Sequence, residues 1–182
     1  MSGLLIYSRE EAERNAFSVE KYKQNLDIKL VYEKETDFSQ PTDFVINRTN
    51  NYKIAAGFEK RGVRVFNPAA LRKLGINKLL CYEFMQKNGI EILPVNYNGI
   101  PAVKKSVNGR GGKEVFMLRK KEPIEPGFVY QKPASDLGKD LRVWLIGGRI
   151  LAAVLRESKT DFRANFCLGG RAVPYRLSEA EK

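Results

Sequence analysis

Residues 139–158 read KDLRVWLIGGRILAAVLRES and contain the clearest structural signal in the chain. Two mostly apolar runs, 141–146 and 149–156, flank the pair Gly147-Gly148. Because glycine adopts positive φ without strain, such a pair between two apolar runs predicts a tight antiparallel hairpin. Three further short strands are predicted upstream, at 101–106, 114–119 and 128–132. The second half of the chain is therefore expected to be antiparallel and rich in β-strands.

The first half alternates apolar strands with helices. Strands are predicted at 4–7, 29–32, 43–47, 63–66 and, leading into the second half, 91–95. Helices are predicted from a Ser8–Glu11 capping box to about Asn25, at 52–61, from an Asn67-Pro68 start, and at 77–88. Alternating strands and helices with short connections indicate a mostly parallel sheet. The predicted fold class is α/β in the first part and α+β for the whole chain.

The 182 residues carry a formal net charge of +11 and include no histidine. Ser-His-Asp catalysis, Cys-His catalysis and histidine-bound zinc are therefore excluded. The positive charge is concentrated in residues 96–182, which hold 17 basic and 9 acidic side chains. Such a field suits a polyanion, either nucleotide phosphates or nucleic acid, and it equally suits a solvated basic surface.

No apolar run reaches the length of a membrane span, and the N-terminal run at 4–7 is too short for a leader core. We therefore expect a cytoplasmic protein without a membrane partner. Cys81 and Cys167 stand far apart and outside any CxxC pattern. We expect both to be buried, free thiols.

Residues 101–115, PAVKKSVNGRGGKEV, indicate a strand, a glycine-rich turn and a second strand. The glycines of this turn let backbone N–H groups approach an anion closely. Lys104 and Lys105 point to opposite faces of their strand, so only one faces the interior, where it needs an anionic partner. The absence of GxxxxGK[ST] excludes a Walker A loop. An exposed basic hairpin tip has the same pattern.

Two later segments carry further polar groups. In 131–140, QKPASDLGKD, the backbone can pair with an adenine edge, and Asp140 can accept hydrogen bonds from ribose hydroxyls. In 161–170, DFRANFCLGG, Arg163 offers a planar fork for phosphate or carboxylate, and Asn165 can bind a phosphate oxygen or help hold a metal. Each segment taken alone is equally compatible with an ordinary surface turn.

The order and spacing of the three segments resemble the ATP-grasp superfamily and, within it, the RimK-type amino-acid ligases, which add glutamate to a carboxyl group. The resemblance covers about residues 67–176 and is most specific in 140–170. It implies a pre-ATP-grasp α/β domain at 1–76 and an ATP-grasp domain at 77–182. The latter would comprise an N-terminal lobe at about 77–130 and a partial C-terminal lobe at 131–182.

The resemblance also implies roles for individual residues. Lys105 matches the strand lysine on the α- and β-phosphates, with Lys104 in its place if the register slips by one. Arg163 and Asn165 match the Arg-x-Asn triplet that faces the transferred phosphate and the substrate, which makes them the candidate catalytic residues. Lys132 stands where relatives often have an acidic residue, which leaves the adenine contact to the backbone. The candidate ATP-binding residues are Lys78, Lys105, Gly109, Gly111, Gly112, Gln131, Lys132, Asp140, Arg163 and Asn165.

In this family an Asp and a Glu-x-Asn pair downstream of the triplet hold two Mg²⁺ ions. No such residues follow Asn165 before the chain ends at Lys182, so we assign no metal ligands and leave turnover open. The leading hypothesis is an ATP-dependent carboxylate–amine ligase that forms an acyl phosphate, or a fragment of one. The alternatives are a degenerate nucleotide-binding or interaction module and, last, a nucleic-acid-binding protein. The oligomeric state is also open, a homo-oligomer included.

Overall fold

A computed structural model describes all residues from Met1 to Lys182. The chain divides into two compact units, Met1–Cys81 and Tyr82–Lys182. No helix in either unit combines the length and apolar character needed to cross a bilayer.

The first unit alternates strands and helices, as the sequence predicts. Its elements are β1 (Gly3–Tyr7), α1 (Arg9–Arg14), α2 (Ala16–Asn25), β2 (Ile28–Tyr32), β3 (Phe44–Asn47), α3 (Tyr52–Glu59), β4 (Arg64–Phe66), α4 (Ala69–Ile76) and the start of α5 (Lys78–Lys87). The four strands form one parallel sheet in the order β2-β1-β3-β4. The predicted parallel α/β architecture of this part is confirmed.

Strand β1 lies in the interior of the sheet and has a hydrophobic cluster on each face. Leu4 and Ile6 pack with Val45 and Phe58 on one face, and the other face carries a separate cluster around Leu5. All five β1 residues are buried. A strand covered on both faces has to be continuously apolar, which explains the unbroken run at the start of the sequence.

The predicted single helix after Ser8 is wrong, because the backbone leaves the helical region at Asn15 and divides α1 from α2. Ser8 caps α1 as expected and accepts a hydrogen bond from the Glu11 N–H at 3.2 Å. The Glu11 carboxylate does not return to the cap. It accepts hydrogen bonds from Arg14 at 2.7 Å and from the Asn15 side chain at 3.3 Å. The reciprocal half of the predicted capping box is therefore absent.

The start of α4 also differs from the prediction. Pro68 occupies the N-cap position, so Asn67 does not cap the helix. The Glu59 side chain accepts the Ala69 N–H at 2.8 Å instead. A carboxylate at a helix N-terminus satisfies a donor that the helix leaves open, and its charge complements the helix dipole.

The second unit contains two three-stranded antiparallel sheets, in the orders β6-β5-β7 and β10-β9-β8. Their strands are β5 (Ala102–Ser106), β6 (Val115–Leu118), β7 (Phe128–Gln131), β8 (Lys139–Ile146), β9 (Arg149–Glu157) and β10 (Arg171–Pro174). Gly147 and Gly148 have φ of 57° and 76°, the backbone that a tight primed turn requires. The predicted hairpin and the antiparallel character of this half are confirmed.

The strand predicted at 91–95 is wrong. Only Val95 forms a bridge, opposite Gln131. The carbonyls of Leu93 and Pro94 accept hydrogen bonds from the Gln131 side chain and the Lys132 N–H. Because proline has no N–H to donate, the segment cannot continue as a regular ladder strand.

We predict that Phe58→Ala lowers the free energy of unfolding by about 3–5 kcal/mol, because it leaves a cavity in the core of the first unit. Phe58 is fully buried, whereas Phe17 is 78% exposed. Phe17→Ala is therefore the matched control, with an expected change within about 0.5 kcal/mol. Urea unfolding of both variants and the wild type gives the comparison. Equal losses in the two variants would contradict the placement of Phe58 in the core.

Candidate functional site

Strand β5 places its two lysines in different environments. Lys104 lies on the face that carries the cluster of Ala102, Leu118 and Tyr130, and it is buried. Its ammonium pairs with Glu125 and lies 4.6 Å from the centroid of the Phe128 ring. The hydrogen bond that it donates to Glu125 raises the pKa of Lys104 above its ordinary value. Lys104 is therefore the lysine that faces the interior, and Glu125 is the anionic partner expected for it.

Lys105 projects from the opposite face of β5, where its Nζ donates to the side-chain oxygen of Gln131 at 2.5 Å. Gln131 is only 4% exposed. Its amide nitrogen donates to the Leu93 carbonyl at 3.0 Å, and its oxygen also accepts from the Tyr82 hydroxyl at 3.5 Å. The Gln131 amide is thus fixed within the protein and holds the Lys105 ammonium in place.

The rest of the 131–140 segment is held by its two ends. The Lys132 N–H donates to the Pro94 carbonyl at 2.9 Å, and the Lys132 side chain is exposed. Near the other end, Gly138 donates to the Phe162 carbonyl at 2.8 Å. Asp140 accepts two hydrogen bonds from the Arg156 guanidinium, at 2.7 and 2.6 Å. The contact with Arg156 was not anticipated, because 16 residues separate the two in sequence.

The glycine-rich loop, residues 107–114, connects β5 to β6. Gly111 and Gly112 have φ of 64° and 77°, in the left-handed region that favours glycine. Their N–H groups donate to no protein acceptor, whereas the N–H groups of Gly109 and Lys113 bond within the turn. Backbone N–H groups that remain open on a glycine turn are the donors that an oxyanion such as a phosphate requires. The loop therefore offers two open N–H donors of the kind that an oxyanion accepts.

Arg163 joins this loop to the segment between β9 and β10. Its Nη1 donates to the Gly112 carbonyl at 2.7 Å and to the Val115 carbonyl at 3.3 Å. Its Nε and Nη2 donate to the two carboxylate oxygens of Asp161, at 2.9 and 2.6 Å. These bonds lower the pKa of Asp161 and raise the pKa of Arg163. Both groups are therefore charged at neutral pH and form a bidentate ion pair.

Asn165 and Cys167 also contact the glycine-rich loop. A Cβ on Gly112 would lie 2.7 Å from the Asn165 side-chain oxygen, so a larger residue there would displace Asn165 and would also be strained by the positive φ. The Cys167 thiol donates to the Gly111 carbonyl at 3.3 Å. Cys167 is exposed and Cys81 is half-buried, which corrects the expectation that both thiols are buried.

Contacts join some of the predicted site residues of the second unit into two groups, whereas Asp140 pairs with Arg156 and the Lys132 side chain is exposed. One pairs Lys105 with Gln131, and the other brings Gly112 together with Arg163 and Asn165. Lys78 is the first residue of α5 and belongs to the other unit.

Sequence reasoning assigned no role to Asp161. The signal available was an acidic residue two positions before Arg163, close enough for a local ion pair.

The metal donors of the chain do not fit a magnesium site. No group of three or more cysteine, aspartate or glutamate side chains in residues 1–182 is placed to hold a metal ion. Mg²⁺ needs several oxygen ligands in near-octahedral geometry, usually with one or two carboxylates among them. No metal-dependent step is therefore derived from these residues.

Comparisons with known proteins give one family. A model of the RimK-like ATP-grasp domain matches residues 77–182. Beta-citrylglutamate synthase B of Danio rerio is 30% identical over 172 residues, which cover 78% of this chain and 42% of that protein. N-acetylaspartylglutamate synthase A of Homo sapiens is 36% identical over 96 residues, or 46% of this chain and 24% of that one. The chain thus spans less than half the length of these curated relatives.

A solved structure shows the same fold. The RimK domain ATP-grasp protein of Sphaerobacter thermophilus superposes with a TM-score of 0.65, at 15% identity, over 90% of this chain and 75% of that one. Sequence and fold therefore agree with the resemblance carried by the glycine-rich loop and the Arg-x-Asn triplet. Because the family model matches more than half of its residues, the chain belongs to the RimK-like ATP-grasp family.

Proposed function

We propose that this protein binds ATP with the phosphates under the segment from Lys104 to Lys113. The observation that carries the proposal is the glycine-rich loop, whose Gly111 and Gly112 N–H groups have no protein acceptor. Lys105 leaves the adjoining strand on the face opposite the Lys104–Glu125 pair. Its charge complements the α- and β-phosphates, while Lys104 is engaged by Glu125. The register that makes Lys105 the phosphate lysine is therefore preferred over Lys104.

The proposed reaction is carboxylate–amine ligation. The γ-phosphoryl group of ATP passes to a substrate carboxylate oxygen, which releases ADP and forms an acyl phosphate. An amine then attacks the acyl carbon, the C–N bond forms, and inorganic phosphate leaves as the amine loses a proton. The cationic side chains and backbone N–H groups stabilise the charge that develops on the transferring oxygens.

The proposed site residues fall into two roles, nucleotide binding and contact with the reacting groups. Nucleotide binding is assigned to Lys78, Lys105, Gly109, Gly111, Gly112, Gln131, Lys132 and Asp140. Arg163 and Asn165 are assigned to the reacting end, beside the loop that they contact. Because the Gln131 side chain is engaged by Leu93 and Lys105, the adenine edge is assigned to the backbone of this segment, apart from the Lys132 N–H, which binds Pro94.

The proposed substrates are a carboxylate-bearing acceptor and an amino acid. The names of the relatives describe synthases whose products contain glutamate, joined to citrate in one and to N-acetylaspartate in the other. Further relatives are named as probable alpha-L-glutamate ligases. Glutamate is therefore the first amino acid to test.

A second candidate function, nucleotide binding without turnover, has one observation in its favour. Residues 1–182 present no carboxylate cluster for Mg²⁺, which supplies charge neutralisation to phosphoryl transfer when it is bound. Nucleotide binding without turnover by these residues is compatible with that finding. The two functions share the ATP site and differ in whether phosphate is released.

We predict that Lys105→Met weakens ATP binding by about 10- to 100-fold, because a charge-assisted contact to phosphate contributes roughly 1.5–3 kcal/mol. Calorimetric titration of ATP measures the change. Lys120→Met removes the same charge from an exposed position and should leave affinity unchanged. Lys104→Met should lower the melting temperature and leave affinity nearly intact. A loss of affinity in Lys104→Met alone would move the assignment to Lys104.

We predict that the wild-type chain binds ATP both with and without Mg²⁺, because the proposed contacts come from lysines and N–H groups. A phosphate-release assay with ATP, Mg²⁺, glutamate and candidate carboxylates then separates the two functions. Release that depends on a carboxylate acceptor supports ligation. ATP binding with no release against any acceptor supports the non-catalytic function, and the absence of ATP binding contradicts both.

A further inference from the structure

We infer that Asp161 and Arg163 form a latch that holds the glycine-rich loop in its phosphate-binding position, with Asp161 as the positioning residue. The latch is a contact between side chains and backbone of the protein itself. Its effect on ATP rests on the proposed function, in which the loop binds the phosphates.

The hydrogen bonds of Arg163 show how the latch is built. A guanidinium has five N–H donors in a rigid planar fork. Asp161 takes the Nε edge and one Nη2 donor, and Nη1 reaches the Gly112 and Val115 carbonyls. Asp161 also accepts the backbone N–H of Arg163 at 2.8 Å. Asp161 therefore sets the plane in which Arg163 points at the loop.

Short backbone bonds close the two ends of the loop: the Val107 N–H donates to the Gly127 carbonyl at 2.8 Å, and the Ser106 N–H to the Glu114 carbonyl at 3.0 Å. The bonds nearer its centre are longer, 3.3 Å from the Gly109 N–H to Ser106 and 3.4 Å from the Lys113 N–H to Arg110. The Cys167 thiol is a weak donor. Arg163 supplies the strong bonds to the centre of the loop, because charged donors form shorter and stronger hydrogen bonds than neutral ones.

Because the pair is partly buried, the Arg163 guanidinium depends on the Asp161 carboxylate as its counter-ion. The side chains of Arg163 and Asp161 are only 22% and 23% exposed. Removing the Asp161 charge would leave a partly buried guanidinium without its counter-ion, an arrangement that proteins avoid. Arg163 would then turn toward solvent or phosphate, and the Gly112 carbonyl would lose its donor. The loop is expected to loosen while the strands on either side remain intact.

Trypsin can test the latch without nucleotide, because the loop itself contains two exposed cleavage sites, Arg110 and Lys113. Proteolysis requires a segment to leave its folded position, so cleavage there reports how often the loop opens. Cleavage after the exposed Lys120, in the next connection, is the internal reference in the same digest.

In Asp161→Asn we expect cleavage after Arg110 and Lys113 to accelerate by about tenfold relative to Lys120, as it would if the open loop became tenfold more populated. ATP affinity should fall by a similar factor, because a loop that must be ordered on binding reduces the apparent affinity. Asp161→Glu keeps the carboxylate and should recover part of both effects. Asp136→Asn makes the same substitution at an exposed position and should change neither.

Amide exchange in 139–157 shows whether each variant is folded. Unchanged loop cleavage in a folded Asp161→Asn would overturn the latch. Faster cleavage with unchanged ATP affinity would overturn the positioning role. If Asp161→Asn fails to fold, Asp161→Glu and Arg163→Lys are compared instead, because Arg163→Lys keeps the charge of the arginine but not its planar fork. Faster loop cleavage in Arg163→Lys, with near-normal cleavage and affinity in Asp161→Glu, supports the latch. Unchanged cleavage in Arg163→Lys overturns it. If the wild type binds no ATP, the proposed function fails, and the cleavage comparison still decides whether the latch exists.

Discussion

The bidentate ion pair between Asp161 and Arg163 is the interaction on which the candidate site depends. It lies in the connection between β9 and β10, and through Arg163 it reaches the carbonyls of the loop between β5 and β6. One guanidinium thus ties together two connections that belong to different sheets of the second unit. The glycine-rich loop is therefore bound by a residue about 50 positions further along the chain.

This contact also explains the composition of the loop. Gly112 accepts a hydrogen bond from Arg163 through its carbonyl, has a positive φ, and lies so close to Asn165 that a Cβ would displace the Asn165 side chain. The positive φ favours glycine at this position, and the contact with Asn165 adds to that preference. In the same turn the N–H groups of Gly111 and Gly112 donate to no protein acceptor, and open donors of this kind suit an oxyanion.

The sequence predicts correctly those elements that depend on residues adjacent in the chain. The Gly147-Gly148 turn follows from φ alone, and strand alternation correctly separates Lys104 from Lys105. The partners could not be predicted, because Glu125 and Gln131 lie 21 and 26 residues from those lysines. The failure at 91–95 has a local and a tertiary cause: Pro94 has no N–H for a ladder, and the buried Gln131 side chain binds the Leu93 carbonyl.

Binding a nucleotide and transferring its phosphoryl group make different electrostatic demands. Binding needs positive charge and N–H donors near the phosphates, and residues 96–182 are strongly basic. Phosphoryl transfer also uses metal ions to neutralise charge, and carboxylates are their usual ligands. Three acidic side chains of the second unit are instead paired with cations. Asp161 is paired with Arg163, Asp140 with Arg156, and Glu125 with Lys104. Each of these three carboxylates is therefore engaged by a cation, and Lys105, on the face opposite the Lys104–Glu125 pair, is the cation proposed to meet the phosphates.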